Sequence, residues 1–142
     1  MVAEVVVLDA SVAVKALSRE AGGDVARHLL LSHPDWIAPD LIYLEVANVF
    51  LKQARRGIDL GSAEHALVAL SSVLIEVTPA SVLYADALSL ARRLQLSAYD
   101  GAYLALAVSR GGVLHTADAR LARAAAASEF DGFIRLLGEP TH

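Results

Sequence analysis

Apolar positions along the chain fall into two rhythms. In the first they are short and unbroken. Val5-Val6-Val7-Leu8 is apolar at every position and largely β-branched, which predicts a strand buried on both faces of a parallel sheet. Trp36-Ile37-Ala38, Ile75-Glu76-Val77-Thr78, Val113-Leu114-His115 and the segment from Phe133 to Leu137 predict further short strands. In the second rhythm apolar residues return every three or four positions, which predicts helices. The clearest opens at Pro39-Asp40 with Asp40 as its N-cap. Leu41, Leu44, Ala47 and Phe50 carry its period to Arg56, and Gly57 stops it. Helices are also expected over Ser11–Ser18, Asp24–Ser32, Ser62–Leu70, Asp100–Ser109 and Asp118–Ala127. Another is expected to run to Leu94, with Pro79 in its first turn. Gly22-Gly23 and His33-Pro34-Asp35 mark breaks.

Strands and helices therefore alternate from end to end. That order predicts right-handed crossovers and an α/β fold. Its expected form is a three-layer α/β/α arrangement in which helices flank a parallel sheet of four to five strands. Nothing divides the sequence into parts, and 142 residues is the length of one domain, so residues 1–142 are expected to form a single unit. The composition is 56% hydrophobic, which argues against disorder. There is no cysteine, so a disulfide scaffold and a cysteine zinc site are excluded. The longest stretch free of charged residues, His65 to Ile75, is too short to span a membrane. No basic segment precedes the first apolar run, so a signal peptide is not expected and a cytoplasmic location is. The net charge of -4 argues against a strongly basic nucleic-acid surface.

In a parallel sheet, functional groups gather beyond the carboxyl ends of the strands. Asp9 directly follows the first strand, and Asp118 lies just past Val113-Leu114-His115, so both project from one sheet edge. Glu45 lies one turn into the helix after the second strand, and Asp100 opens a later helix. Taken singly, Asp40, Asp100 and Asp118 each admit a bland role as cap or counter-charge to a helix dipole. Glu45 does not. It falls inside an apolar helical stretch where an unpaired carboxylate is costly, and Lys52 and Arg55 are too far along for an i,i+4 pair. If the four acids converge, they must be protonated or hold cations, because like charges at 4 Å repel by about 4 kcal/mol at a dielectric near 20. An all-oxygen set selects Mg²⁺ or Mn²⁺. Such an ion activates water and orients a phosphodiester.

The runs Val-Leu-Asp9-Ala-Ser11-Val-Ala-Val-Lys15, Ala-Pro39-Asp-Leu-Ile-Tyr-Leu-Glu45-Val-Ala-Asn48, Tyr99-Asp100-Gly-Ala-Tyr103-Leu-Ala-Leu-Ala and Leu-His-Thr116-Ala-Asp118-Ala-Arg-Leu121 resemble the PIN domain. More narrowly, they are similar to the VapC toxins of bacterial toxin–antitoxin pairs. The resemblance extends from Val5 to about Leu136. It implies a Mg²⁺-dependent endoribonuclease, with Mn²⁺ as substitute, that hydrolyses RNA phosphodiester bonds as the toxin of a type II pair. It implies Asp9, Asp100 and Asp118 as metal ligands, with Glu45 holding or orienting a water at the metal. Ser11, Asn48 and Thr116 would support the acids by hydrogen bonding. It further implies a homodimer and a cognate antitoxin, whose segment is expected in a groove within Leu41 to Leu70. Lys15 and Arg120 are the best candidates for phosphate contacts, ahead of the pairs Arg55-Arg56 and Arg92-Arg93. Two positions depart from the pattern. Ala119-Arg120 stands where some relatives carry a further acid, which leaves a second metal in doubt. His115 stands where an apolar residue is usual, and is expected to be a strand-end histidine satisfied by a neighbour.

Other readings meet obstacles in the residues. A haloacid-dehalogenase-like phosphatase needs a second Asp two residues after Asp9, where Ser11 stands. A receiver domain needs a late Lys, and none follows Lys52. A PIN-fold binding module with a weak site stays open, although four intact acids speak against it. Setting those four aside leaves twelve charges of each sign, so the excess acidity belongs to the expected pocket.

Overall fold

The computed structural model describes residues 4–139. Five strands, β1 (Val6–Leu8), β2 (Trp36–Pro39), β3 (Leu74–Thr78), β4 (Val113–Thr116) and β5 (Ile134–Leu136), form one parallel sheet in the order β3-β2-β1-β4-β5. Seven helices connect them: α1 (Ala10–Leu17), α2 (Gly23–Ser32), α3 (Ile42–Arg55), α4 (Ala63–Val73), α5 (Tyr84–Leu94), α6 (Ala98–Arg110) and α7 (Ala119–Ala126). Right-handed crossovers in this strand order put α1 to α4 on one face and α5 to α7 on the other. The three-layer α/β/α fold expected from the alternation is the one observed. β1, β2 and β4 are buried along their whole length, whereas β3 and β5 are the partly exposed edges. α6 lies across β1, β2 and β4 with α5 packed along it, and its Gly101 to Ala107 stretch is wholly buried. Among the described residues, no helix is long and apolar enough to cross a membrane.

Several boundaries differ from the expectation, each for a local reason. Asp40 does not cap α3. Its N–H donates to Thr78 O at 2.8 Å, extending the pairing of β2 with β3, and its Oδ1 accepts from Ala80 N at 3.1 Å. α3 begins two residues later without a side-chain cap. The segment after Pro79 is not one helix: a 3₁₀ turn over Ala80–Val82 precedes α5. A similar turn, Asp131–Phe133, takes the start of the expected last strand. Asp100 does not open α6. Ser97 caps that helix, accepting from Asp100 N at 3.1 Å, a Ser-x-x-Asp arrangement that sets Asp100 within the first turn.

This topology has one switch point. The chain moves from β1 to β2 on one side and later returns to place β4 on the other. The crevice past the carboxyl ends of β1 and β4 is where an open α/β sheet binds its ligand, and Asp9 and Asp118 stand there.

Candidate functional site

Asp9 is built into the crevice by its own backbone. Its N–H donates to His115 O at 3.1 Å, prolonging the β1–β4 ladder. Its extended conformation makes it the N-cap of α1. Its Oδ2 accepts from Ser11 N at 3.3 Å, from Thr116 Oγ1 at 2.9 Å and from Ser11 Oγ. Each of these hydroxyls also accepts a backbone N–H: Ala117 N to Ser11 Oγ at 2.8 Å, and Asp118 N to Thr116 Oγ1 at 3.0 Å. Two small polar side chains thus join the β1–α1 turn to the β4–α7 turn around one carboxylate. Burial pushes Asp9 up to about 6, offset by the hydrogen bonds from Ser11 and Thr116 and raised further by the charge of Asp100.

Glu45 projects from the first turn of α3. Burial pushes it up to about 7; nearby Tyr103 eases the shift, and the charges of Asp9 and Asp100 add to it. Yet neither Glu45 Oε1 nor Tyr103 Oη, both buried, completes a hydrogen bond among the described residues. Burial, with the charges of Asp9 and Glu45, also pushes the Tyr103 phenol well above its ordinary range. The sequence pattern alone assigns Tyr103 no role. It lies three residues after Asp100, hence on the same side of α6, but an aromatic in an Ala/Leu-rich helix reads first as core.

Asp118 realises its bland reading and keeps an oxygen to spare. As N-cap of α7, its Oδ1 accepts from Arg120 N at 2.9 Å and Leu121 N at 3.2 Å. Its Oδ2 faces Arg120 Nη2 at 3.8 Å, and the same nitrogen is 3.0 Å from Asp100 Oδ2. Asp9, Glu45 and Asp100 thus share one electrostatic environment, and Asp118 joins through Arg120.

The donors suit a hard divalent cation. They are all carboxylate oxygens, and among the described residues Asp9 and Glu45 have no cationic partner and one buried Glu45 oxygen has no partner at all. As the side chains stand, no three histidines or acids among the described residues are grouped to hold a metal ion.

The other expected residues divide. Ser11 and Thr116 support Asp9 directly. Asn48 is exposed on α3, and no hydrogen bond ties it to the acids among the described residues. Lys15 is held outside the cluster by Glu20 at 3.1 Å, and Arg93 is tied to Glu129 and lies over the Phe130 ring. His115 is buried but not satisfied as expected. Successive strand residues face opposite ways, so it points away from Thr116 and the acids. It packs against Trp36 and His33 with ring centroids 5.3 and 5.8 Å apart. Its Nε2 has no hydrogen-bond partner among the described residues, and burial, with the charges of His33 and Arg135, lowers the imidazole to about 4.

The sequence model of the PIN domain family matches residues 6–127. Among solved structures, PAE2754 from Pyrobaculum aerophilum is 25% identical, with a TM-score of 0.62 over 85% of this chain and 84% of that one. VapC20 from Mycobacterium tuberculosis, a sarcin-ricin loop cleaving toxin, is 18% identical, with a TM-score of 0.67 over 84% of this chain and 94% of that one. No curated protein matches the chain.

Proposed function

The chain belongs to the PIN domain family, and from that premise we propose that it is a metal-dependent endoribonuclease. The observation that carries this reading is the pairing of a buried Asp9, fixed by Ser11 and Thr116, with a half-buried Glu45 whose buried Oε1 has no partner among the described residues. Uncompensated buried carboxylates are costly, and a cation is what would relieve them. Asp9, Asp100 and Asp118 Oδ2 would hold Mg²⁺, or Mn²⁺ in its place. Such an ion supplies Lewis acidity toward the phosphodiester and an acidified water. Glu45, whose buried Oε1 has no partner among the described residues, is placed to take a proton there from the attacking water. Ser11 and Thr116 hold the Asp9 carboxylate in one orientation throughout.

The chemistry acts on a phosphodiester, and RNA as the substrate is inferred from the likeness to a sarcin-ricin loop cleaving toxin. On this reading the chain is the cytoplasmic toxin of a type II toxin–antitoxin pair. It works as a homodimer bound by its antitoxin. Within the segment expected to form the antitoxin groove, Leu44, Leu51, Ile58 and Val68 are exposed apolar side chains on α3, α4 and their connection, the kind of surface that marks an interface. Of the two leading phosphate candidates, Arg120 is beside the acids, whereas Lys15 is engaged by Glu20.

Purified protein incubated with RNA in Mg²⁺, in excess EDTA, and in EDTA with Mg²⁺ restored tests the reading. Cleavage should appear, disappear and return. Cleavage that persists in EDTA would rule out the metal-dependent mechanism.

A further inference from the structure

Arg120 is paired with two of the acids, Asp100 and Asp118. Its backbone is fixed, because Arg120 N donates to Asp118 Oδ1 at 2.9 Å in the cap of α7. Its side chain leaves that anchor and reaches back between two helices. Nη2 stands 3.0 Å from Asp100 Oδ2 on α6 and 3.8 Å from Asp118 Oδ2. With Asp118 Oδ1 committed to the cap, its Oδ2 is the oxygen it has left for an ion, and one nitrogen faces both that atom and Asp100 Oδ2. The side chain is 59% exposed, against 18% for Asp100. The carboxylate is thus sheltered while the guanidinium has an open path to solvent.

We infer that Arg120 is a built-in counter-cation: Asp100 and Asp118 hold its guanidinium in place of a divalent ion and must release it before the ion can bind. The inference rests on the metal-site reading above and concerns how that site is regulated. A half-exposed ion pair is weak, so a divalent ion displaces it, but at a raised threshold concentration. Helix caps hold the backbone on either side, so only the long side chain has to move. Once released, the guanidinium is free beside the pocket, where its planar fork suits a phosphate. That reconciles the phosphate contact expected from sequence with the ion pair observed.

The test measures metal binding rather than cleavage. Mn²⁺ is titrated calorimetrically into metal-free wild type, Arg120→Gln, Arg120→Lys and Arg123→Gln; the last removes an exposed charge from the same helix. Arg120→Gln should bind Mn²⁺ about fivefold tighter than wild type, the scale of one exposed ion pair. Arg120→Lys should lie closer to wild type, and Arg123→Gln should match it. Mn²⁺ binding by Arg120→Gln that equals or falls below that of wild type would overturn the inference while leaving the metal site standing. Failure of all four proteins to bind Mn²⁺ would instead remove the metal-site reading, and this inference with it.

Discussion

Replacing Asp9 by Asn should change how the stability of the metal-free protein depends on pH. In the folded chain burial holds Asp9 up at about 6, against 3.8 for an ordinary aspartate. The folded state therefore binds this proton more tightly than the unfolded state does. Its contribution to stability is fully present below pH 3.8 and is lost as pH rises through about 6. At about 1.4 kcal/mol per tenfold change, the loss reaches about 3 kcal/mol. The substituted asparagine carries no charge, and its side-chain carbonyl can still accept from Ser11 and Thr116, so its own contribution is flat with pH. The assay is urea denaturation in EDTA from pH 4 to pH 8, with free energies taken by linear extrapolation. Relative to wild type, Asp9→Asn should gain about 3 kcal/mol across that range, most of it between about pH 4 and 6.5. The slope from His115 is common to both proteins and cancels. The Glu45 slope shrinks somewhat in the variant, because Asp9 is one of the charges that raise it, and that change has the same sign. Parallel curves for the two proteins would refute the claim that burial outweighs the hydrogen bonds at the Asp9 carboxyl.

Other outcomes follow from single contacts. Asp118→Asn should keep the α7 cap through its amide oxygen and melt within a degree or two of wild type, whereas Asp118→Ala should lose about 1 kcal/mol. Both should lose RNA cleavage, so melting and activity assays together separate the two uses of this residue. Gly101→Ala should destabilise by about 1 to 3 kcal/mol, despite alanine's better helix propensity. A Cβ there would stand 2.3 Å from Ala87 O, where α6 meets α5; a rise in melting temperature would contradict that packing. His115 is held neutral down to about 4, so its contribution is present above about pH 6.5 and is lost as pH falls toward 4, by at most about 3 kcal/mol. His115→Gln should flatten the acid limb of the stability curve, and an unchanged limb would mean that His115 is not the responsible group.

The fold was legible because unbroken apolar runs such as Val6-Val7-Leu8 admit only a doubly covered strand. Alternation with helical periods then left only the parallel α/β arrangement. The positions of Asp9 and Asp118 at one sheet edge followed from it. Pro39-Asp40 carries a helix-start pattern, but a contact with β3 that no local pattern encodes ties Asp40 to Thr78. The apolar stretch after Asp100 marks that residue as the helix start, yet the actual cap, Ser97, stands one turn before it. The ion pair between Arg120 and Asp100 spans twenty residues and depends on how α6 and α7 splay, which sequence spacing does not fix. The opposite orientation of His115 and Thr116 was available from strand alternation alone. The neighbours of His115 were not, since His33 and Trp36 reach it across β1.

The central claim is that these acids hydrolyse RNA together. Its most direct test compares cleavage of one RNA in Mg²⁺ by wild type and Asp100→Asn purified side by side. Wild type should cleave, and the variant, folded to the same melting temperature within a few degrees, should be slower by a factor of about 100 or more, the scale on which losing a key catalytic interaction acts. Equal cleavage by the two proteins would contradict it, since the activity would then arise from something other than this site.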